Sequence, residues 1–201
     1  MVALWHLVPW LALLVFFGSA IAHFGEDWPR QPKLFRYALG SAPVAVIVLA
    51  HPEMVRAIFA AMTSPQTAVW AGQAFAILAP PCLALALVAL GRMLVARRSA
   101  RALAFLLLLP GLALLPPLLG FLLFFCFYHT PRHMVDIRRS LEWIPSRTFV
   151  ASGLAITLLA LLLGAMLLPA LLQGGVATAA GGFQLLAALA VPHQIAPRLF
   201  K

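Results

Sequence analysis

Acidic side chains are nearly missing from this chain, which has five Asp and Glu among 201 residues and only 9% charged residues in all. So little charge excludes an ordinary solvated globular surface, since soluble domains carry about 25% charged residues. It equally excludes a disordered tail, which needs high net charge and low hydrophobicity. Cysteine is as scarce: Cys82 and Cys126 stand inside apolar runs without metal-type spacing. A disulfide framework and a thiolate metal site are thereby excluded, and both read as small buried hydrophobes. Alternation of period two is lacking too, because the apolar runs are continuous and rich in Leu and Ala, and this argues against a membrane β-barrel.

Hydrophobic residues make up 64% of the chain and its mean hydropathy is +1.01, the composition of an integral membrane protein. Apolar runs cover 2–22, 39–61, 68–90, 102–128, 149–172 and 176–191, against a need for about 20 residues per spanning helix. The expected fold is all-α: a polytopic transmembrane helix bundle of about six spanning segments, forming a single integral-membrane domain over 1–201. Pro110, Pro116 and Pro117 predict that the segment 102–128 is broken. The first run is expected to be retained rather than cleaved before His23, because no Lys or Arg precedes it and Trp10 and Trp28 bracket it as interfacial anchors.

The net charge of +9 comes from basic residues in short loops between apolar runs, so the expected partner is the lipid bilayer and not nucleic acid. Arg92, Arg97, Arg98 and Arg101 form the densest cluster and mark the cytoplasmic side by the positive-inside rule. Arg30, Lys33 and Arg36 are expected to share that side, with Arg132, Arg138, Arg139 and Arg147 opposite.

Three histidine motifs interrupt the apolar background: Ala22-His23-Phe24-Gly25-Glu26-Asp27, Cys126-Phe127-Tyr128-His129-Thr130-Pro131-Arg132-His133, and Leu189-Ala190-Val191-Pro192-His193. Imidazole is costly near lipid, which makes each a candidate functional site. On a continuous helix, His129 and His133 share one face one turn apart. Such a pair is in general more often a hydrogen-bonded structural couple than a metal site, and burial in a membrane reverses that preference. Pro131 cannot donate to the carbonyl of Phe127 and is expected to open a new helix with Thr130 as its N-cap. A helix starting near Leu118 carries His129 about 16 Å along its axis, close to the middle of a core about 30 Å thick. His23 is expected at shallower depth, with Gly25 permitting close approach of a neighbouring backbone.

The other histidines carry less. His193 reads equally as an interfacial anchor or a ligand, and His51, before Pro52, reads as part of a polar helix break. His6 stands roughly 25 Å from His23 along one helix, too far to share an ion. Glu26, Asp27 and Asp136 lie where a carboxylate would accept an imidazole N–H, and Asp136 reads equally well as an ion-pair partner of Arg132 or Arg138. An all-imidazole site favours zinc, copper, iron or nickel over magnesium or calcium. Among these, Fe(II) with three or four such ligands keeps positions open for O₂, whereas four-coordinate zinc is closed. Phe121, Phe124, Phe125, Phe127 and Tyr128 either line a site for an extended hydrocarbon or face lipid.

Taken together, Ala22-His23-Phe24-Gly25, Pro116-Pro117 leading into Phe124-Phe125-Cys126-Phe127-Tyr128-His129-Thr130-Pro131-Arg132-His133, and Leu186 through Pro192-His193 resemble the Brp/Blh family of membrane β-carotene 15,15'-dioxygenases. The resemblance implies Fe²⁺- and O₂-dependent cleavage of the central double bond of β-carotene into two retinal molecules, in a bacterial or archaeal cell membrane, with the product commonly supplied to a microbial rhodopsin. It implies His23, His129 and His133 as iron ligands, His193 as a further candidate, and Arg132 as a supporting residue. Members typically carry an earlier Pro-His-Gly segment followed by an Asp, which does not occur here, so a late start or a shortened relative is expected. The acid after His-Phe-Gly usually falls one position beyond Asp27, where this chain has Trp28. Two other classes compete: a bis-histidine haem membrane protein, and a non-catalytic protein that binds carotenoid or retinal or assists rhodopsin assembly.

Overall fold

A computed structural model describes residues 7–97, 99–140 and 145–151, together with Leu4, Leu154, Ala155, Leu158 and Leu162. The runs expected at 149–172 and 176–191, and His6, Glu142 and His193, lie wholly or largely outside the described residues, as does the side chain of Asp136. Among the described residues all regular structure is helical, in agreement with the all-α expectation. The helices are α1 (Pro9–Glu26), α2 (Lys33–Ala50), α3 (Pro52–Met62), α4 (Pro65–Arg97), α5 (Ala100–Leu114), α6 (Pro117–Leu123) and α7 (Thr130–Ser140), with a π-helical turn at Phe124–His129 joining the last two.

Proline and small hydroxyls set most of these boundaries. Pro9, Pro52 and Pro117 each begin a helix, where the missing N–H costs nothing. The Ser64 hydroxyl accepts from Thr67 N–H at 3.2 Å ahead of α4, and Ser99 accepts from Ala102 N–H at 3.3 Å ahead of α5. Residues before proline are driven out of the helical region: Leu115, preceding Pro116, is extended with φ −88° and ψ 146°. His51, preceding Pro52, has φ −135° and ψ 54° and ends α2. The apolar run 39–61 is therefore two helices rather than one span, cut at the polar break expected at His51.

The helix α2 is the hub, packing against α1, α3, α4, α5 and α6. Its buried face runs from Ala38 to Val48 almost without interruption, as befits a helix surrounded by others. Gly40 lets α1 come into backbone contact, because a Cβ there would collide with the carbonyl of Ile21 and lie 2.7 Å from the amide nitrogen of Gly25. The reciprocal Cβ on Gly25 would sit 2.8 Å from the Arg36 carbonyl oxygen, so the close approach expected at Gly25 is realised. Three helices, α1, α2 and the stretch Pro65–Ala96 of α4, are long and apolar enough to cross a membrane. Ile77, Leu78, Leu87, Val88, Leu103, Leu107, Leu119 and Phe127 point outward from the bundle, a surface suited to lipid and not to water. Cys126 is exposed there as well, contrary to the buried placement expected of it, while Cys82 is partly buried.

The run 102–128 breaks at Pro116-Pro117 and then folds back on itself, whereas Pro110, also expected to break it, lies inside α5. A Cβ on Gly111 would stand 3.1 Å from Leu123, one on Gly120 would stand 3.2 Å from the Leu112 carbonyl, and the Phe105 and Tyr128 ring centroids are 4.9 Å apart. The beginning of the run thus lies beside its end. This corrects the expected charge topology: Arg132 is not opposite the Arg92–Arg101 cluster but at the same end, because Pro116-Pro117 makes a hairpin of a segment that hydropathy reads as one crossing. That end also holds the α1–α2 connection, since Arg101 stacks on Trp28 with its guanidinium carbon 4.7 Å from the ring centroid and Arg92 lies 5.6 Å from that of Phe35.

Candidate metal centre

The last turn of α1 carries Glu26, and Asp27 caps its end, both at the negative pole of the helix where carboxylates are disfavoured. Each is matched to a cationic or hydrogen-bonding group. The Arg36 Nε–H donates to the Gly25 carbonyl at 3.3 Å and caps the helix, Glu26 Oε2 is 3.2 Å from His23 Nδ1, and Asp27 Oδ2 is 3.0 Å from His129 Nδ1. Asp27 and His129 are 6% and 3% exposed, so this carboxylate is removed from water and relies on the imidazole for compensation.

His129 arrives from the π-helical turn. The Thr130 N–H bonds to the Phe125 carbonyl, and Thr130 itself is helical, with φ −58° and ψ −47°. It is therefore not the N-cap of a fresh helix, contrary to expectation. The wider turn makes room for the Pro131 ring, which would otherwise press on the Phe127 carbonyl, and the helix continues into α7. His129 and His133 consequently share a face, with rings stacked at 5.8 Å between centroids and 14° between planes.

Three imidazoles converge. The His23 and His129 Nε2 atoms face each other at 3.2 Å, and the His23 ring centroid lies 5.3 Å from that of His133. With both rings neutral and Glu26 and Asp27 accepting from the two Nδ1–H groups, both Nε2 atoms present lone pairs to one another; with one ring protonated, the same contact is an N–H···N hydrogen bond. In the neutral state two lone pairs at that distance repel unless a proton or a metal ion lies between them. Two nitrogens bound to one ion at about 2.0–2.1 Å are separated by about 2.8–3.4 Å at angles between octahedral and tetrahedral, so the spacing fits a shared ion. Among the described residues no group of three or more His, Cys, Asp or Glu is already gathered in a ligating arrangement.

Aromatic side chains wall the site. The Phe24 ring centroid is 4.9 Å from that of His129 and 4.9 Å from that of Phe124. Phe24 also lines an apolar groove with Phe16, Phe17, Phe59, Met62 and Phe121, enclosing about 610 Å³ with its open side included. Of the aromatic lining expected from sequence, Phe121 faces this groove and Phe124 and Tyr128 are buried in the core, whereas Phe125 and Phe127 are turned outward. The Arg132 guanidinium lies over the Tyr128 ring at 3.8 Å. Sequence reasoning placed Arg101 on the side of the α1–α2 connection but missed its stacking on Trp28 there.

The sequence profile of the family described as beta-carotene 15,15'-dioxygenase matches residues 1–201, and the chain belongs to that family. It is accordingly a carotene dioxygenase-like protein with membrane-helix character. No curated protein matches the chain, and no solved structure does.

Proposed function

We propose that this protein is an iron-dependent dioxygenase that cleaves the central double bond of β-carotene, both atoms of O₂ becoming the carbonyl oxygens of two retinal molecules. The observation that carries the reading is the facing pair of Nε2 atoms on His23 and His129, 3.2 Å apart, each imidazole backed by its own carboxylate. With His133 beside them, these are the residues that would hold Fe(II), and bound iron would supply O₂ activation. His193 is a further candidate ligand. Glu26 and Asp27 hold the protons on Nδ1 and aim the rings. Phe24 separates the imidazoles from the apolar groove and lets a hydrocarbon chain approach them while excluding water. A membrane-dissolved product suits a retinal-consuming partner such as a microbial rhodopsin.

The haem reading fits poorly. Axial imidazoles stand about 4 Å apart, twice a metal–nitrogen bond of about 2.0 Å, whereas the Nε2 atoms are 3.2 Å apart with Phe24 and Phe124 packed against His129. A non-catalytic carotenoid binder is the second reading, since the apolar groove beside Phe24 would take a polyene whether or not a metal is held. Expression in β-carotene-accumulating cells separates these readings. Retinal and copurified iron, both lost in His129→Ala, support the dioxygenase. Bound carotenoid with neither retinal nor iron makes it a binder.

A further inference from the structure

We infer that Arg101, Arg132 and Tyr128 form a binding site for a phosphate group at the basic end of the bundle, apart from the imidazole site. Arg101 stacks on Trp28 and Arg132 stacks on Tyr128. Stacking uses the faces of the guanidinium groups and leaves their N–H donors in the plane, directed past the rings. Arg101 Nε, Arg132 Nη1 and Tyr128 Oη are each buried without a hydrogen-bond partner among the described residues. Arg132 lies directly over the Tyr128 ring, and the Trp28 under Arg101 packs on Phe105, which in turn packs on Tyr128, with ring centroids 5.4 and 4.9 Å apart; Tyr128 is 6% exposed. Three buried donors without a partner among the described residues therefore belong to one packed cluster at this end of the bundle.

The charge balance points the same way. Two cations are brought together by the α5–α6 hairpin, and Arg101 stands in the first turn of α5, where no acidic residue offsets the positive helix pole. No described carboxylate is available to neutralise them: Glu26 and Asp27 are engaged with His23 and His129, and Glu53 pairs with Arg56. Two guanidinium groups and a phenolic hydroxyl, all with unmet donors, suit a tetrahedral oxyanion with several acceptor oxygens. Arg92 and the α1–α2 connection lie at the same end, where basic residues meet lipid headgroups. The shared chemistry is a phosphate, either the headgroup of an anionic phospholipid or free inorganic phosphate.

The test uses the full chain, delipidated in a neutral detergent. One arm measures lipid retained from bilayer discs of phosphatidylcholine alone or mixed with phosphatidylglycerol, by native mass spectrometry. The other measures the shift in Tm with inorganic phosphate against chloride at matched ionic strength. Selective retention of phosphatidylglycerol identifies the headgroup, and a phosphate-specific Tm shift identifies the free anion. Either should weaken roughly tenfold in Arg101→Gln and severalfold in Tyr128→Phe, which keeps the ring under Arg132. Should Arg101→Gln fail to fold, Tyr128→Phe decides alone. The site is refuted if neither phosphatidylglycerol nor phosphate is preferred, or if a folded variant binds as the wild type does.

Discussion

His51 and His129 both stand just ahead of a proline, and the chain treats them in opposite ways. Pro52 follows His51 immediately, so the histidine is forced out of the helical region and divides α2 from α3. It is tied in through its backbone, with its N–H bonded to Ile47 and its carbonyl accepting from Val55, both at 3.0 Å, while its Nε2 is buried with no partner among the described residues. Pro131 comes one residue later after His129, and there the helix survives by widening into a π turn. His129 keeps a helical backbone, faces inward with His133, and meets a carboxylate and an imidazole from α1. One residue of separation from proline thus distinguishes a histidine that ends a helix from one that a helix delivers to a site.

The comparison breaks if His51 matters as much as His129. His129→Ala should abolish retinal formation and iron retention in β-carotene-accumulating cells while the protein still reaches the membrane, because a ligand is lost without loss of an apolar segment. A variant retaining iron and activity removes His129 from the site. Next in size, Asp27→Asn should lower iron affinity by roughly 10–100-fold, the usual cost of losing a group that orients a ligand. The amide keeps the shape but offers Nδ1–H a weaker acceptor, so metal content titrated at fixed free iron is the readout, and an unchanged affinity would mean that the carboxylate only packs.

A smaller effect is expected on stability than on chemistry at the helix contact. Gly40→Ala should cost about 1–3 kcal/mol by overpacking, read as a lower Tm, since the new methyl meets backbone of Ile21 and Gly25 and not a movable side chain. A Tm within error of the wild type would show that α1 can shift away freely. Smallest of all, His51→Ala should leave retinal output within about twofold and stability within about 1 kcal/mol, because it removes a side-chain nitrogen that has no partner. Retinal loss in His51→Ala equal to that in His129→Ala, at equal expression, would overturn the contrast between the two histidines.

Much of the site was legible from local pattern. The i, i+4 spacing of His129 and His133 puts two imidazoles on one face wherever the helix continues, and acids beside His23 are the right groups to hold imidazole protons. The pairing of Asp27 with His129 rather than with its sequence neighbour was not legible, because it joins positions 102 residues apart. The π turn escaped for a related reason. Proline chemistry alone permits either a fresh N-cap at Thr130 or a widened helix, and the packing of His129 against Asp27, His23 and Phe24 accompanies the second.

By itself, the sequence determined the class of structure: scarce charge and continuous apolar runs leave a membrane helix bundle as the fold that satisfies every backbone group in lipid. It also marked the helix starts at Pro9, Pro52 and Pro117, since proline acts through the residues bonded to it, although Pro43, Pro80, Pro81 and Pro110 are carried inside helices. Only the tertiary structure decided which ends of those helices lie together. Hydropathy has no sign along the chain and cannot tell a segment that crosses from one that turns back, whereas contacts of Phe105 with Tyr128 and of Arg101 with Trp28 can. The hairpin at Pro116-Pro117 therefore decided that Arg132 lies at the end that holds Arg101, and the meeting of α1 with the π turn decided that His23, Asp27 and His129 come into contact.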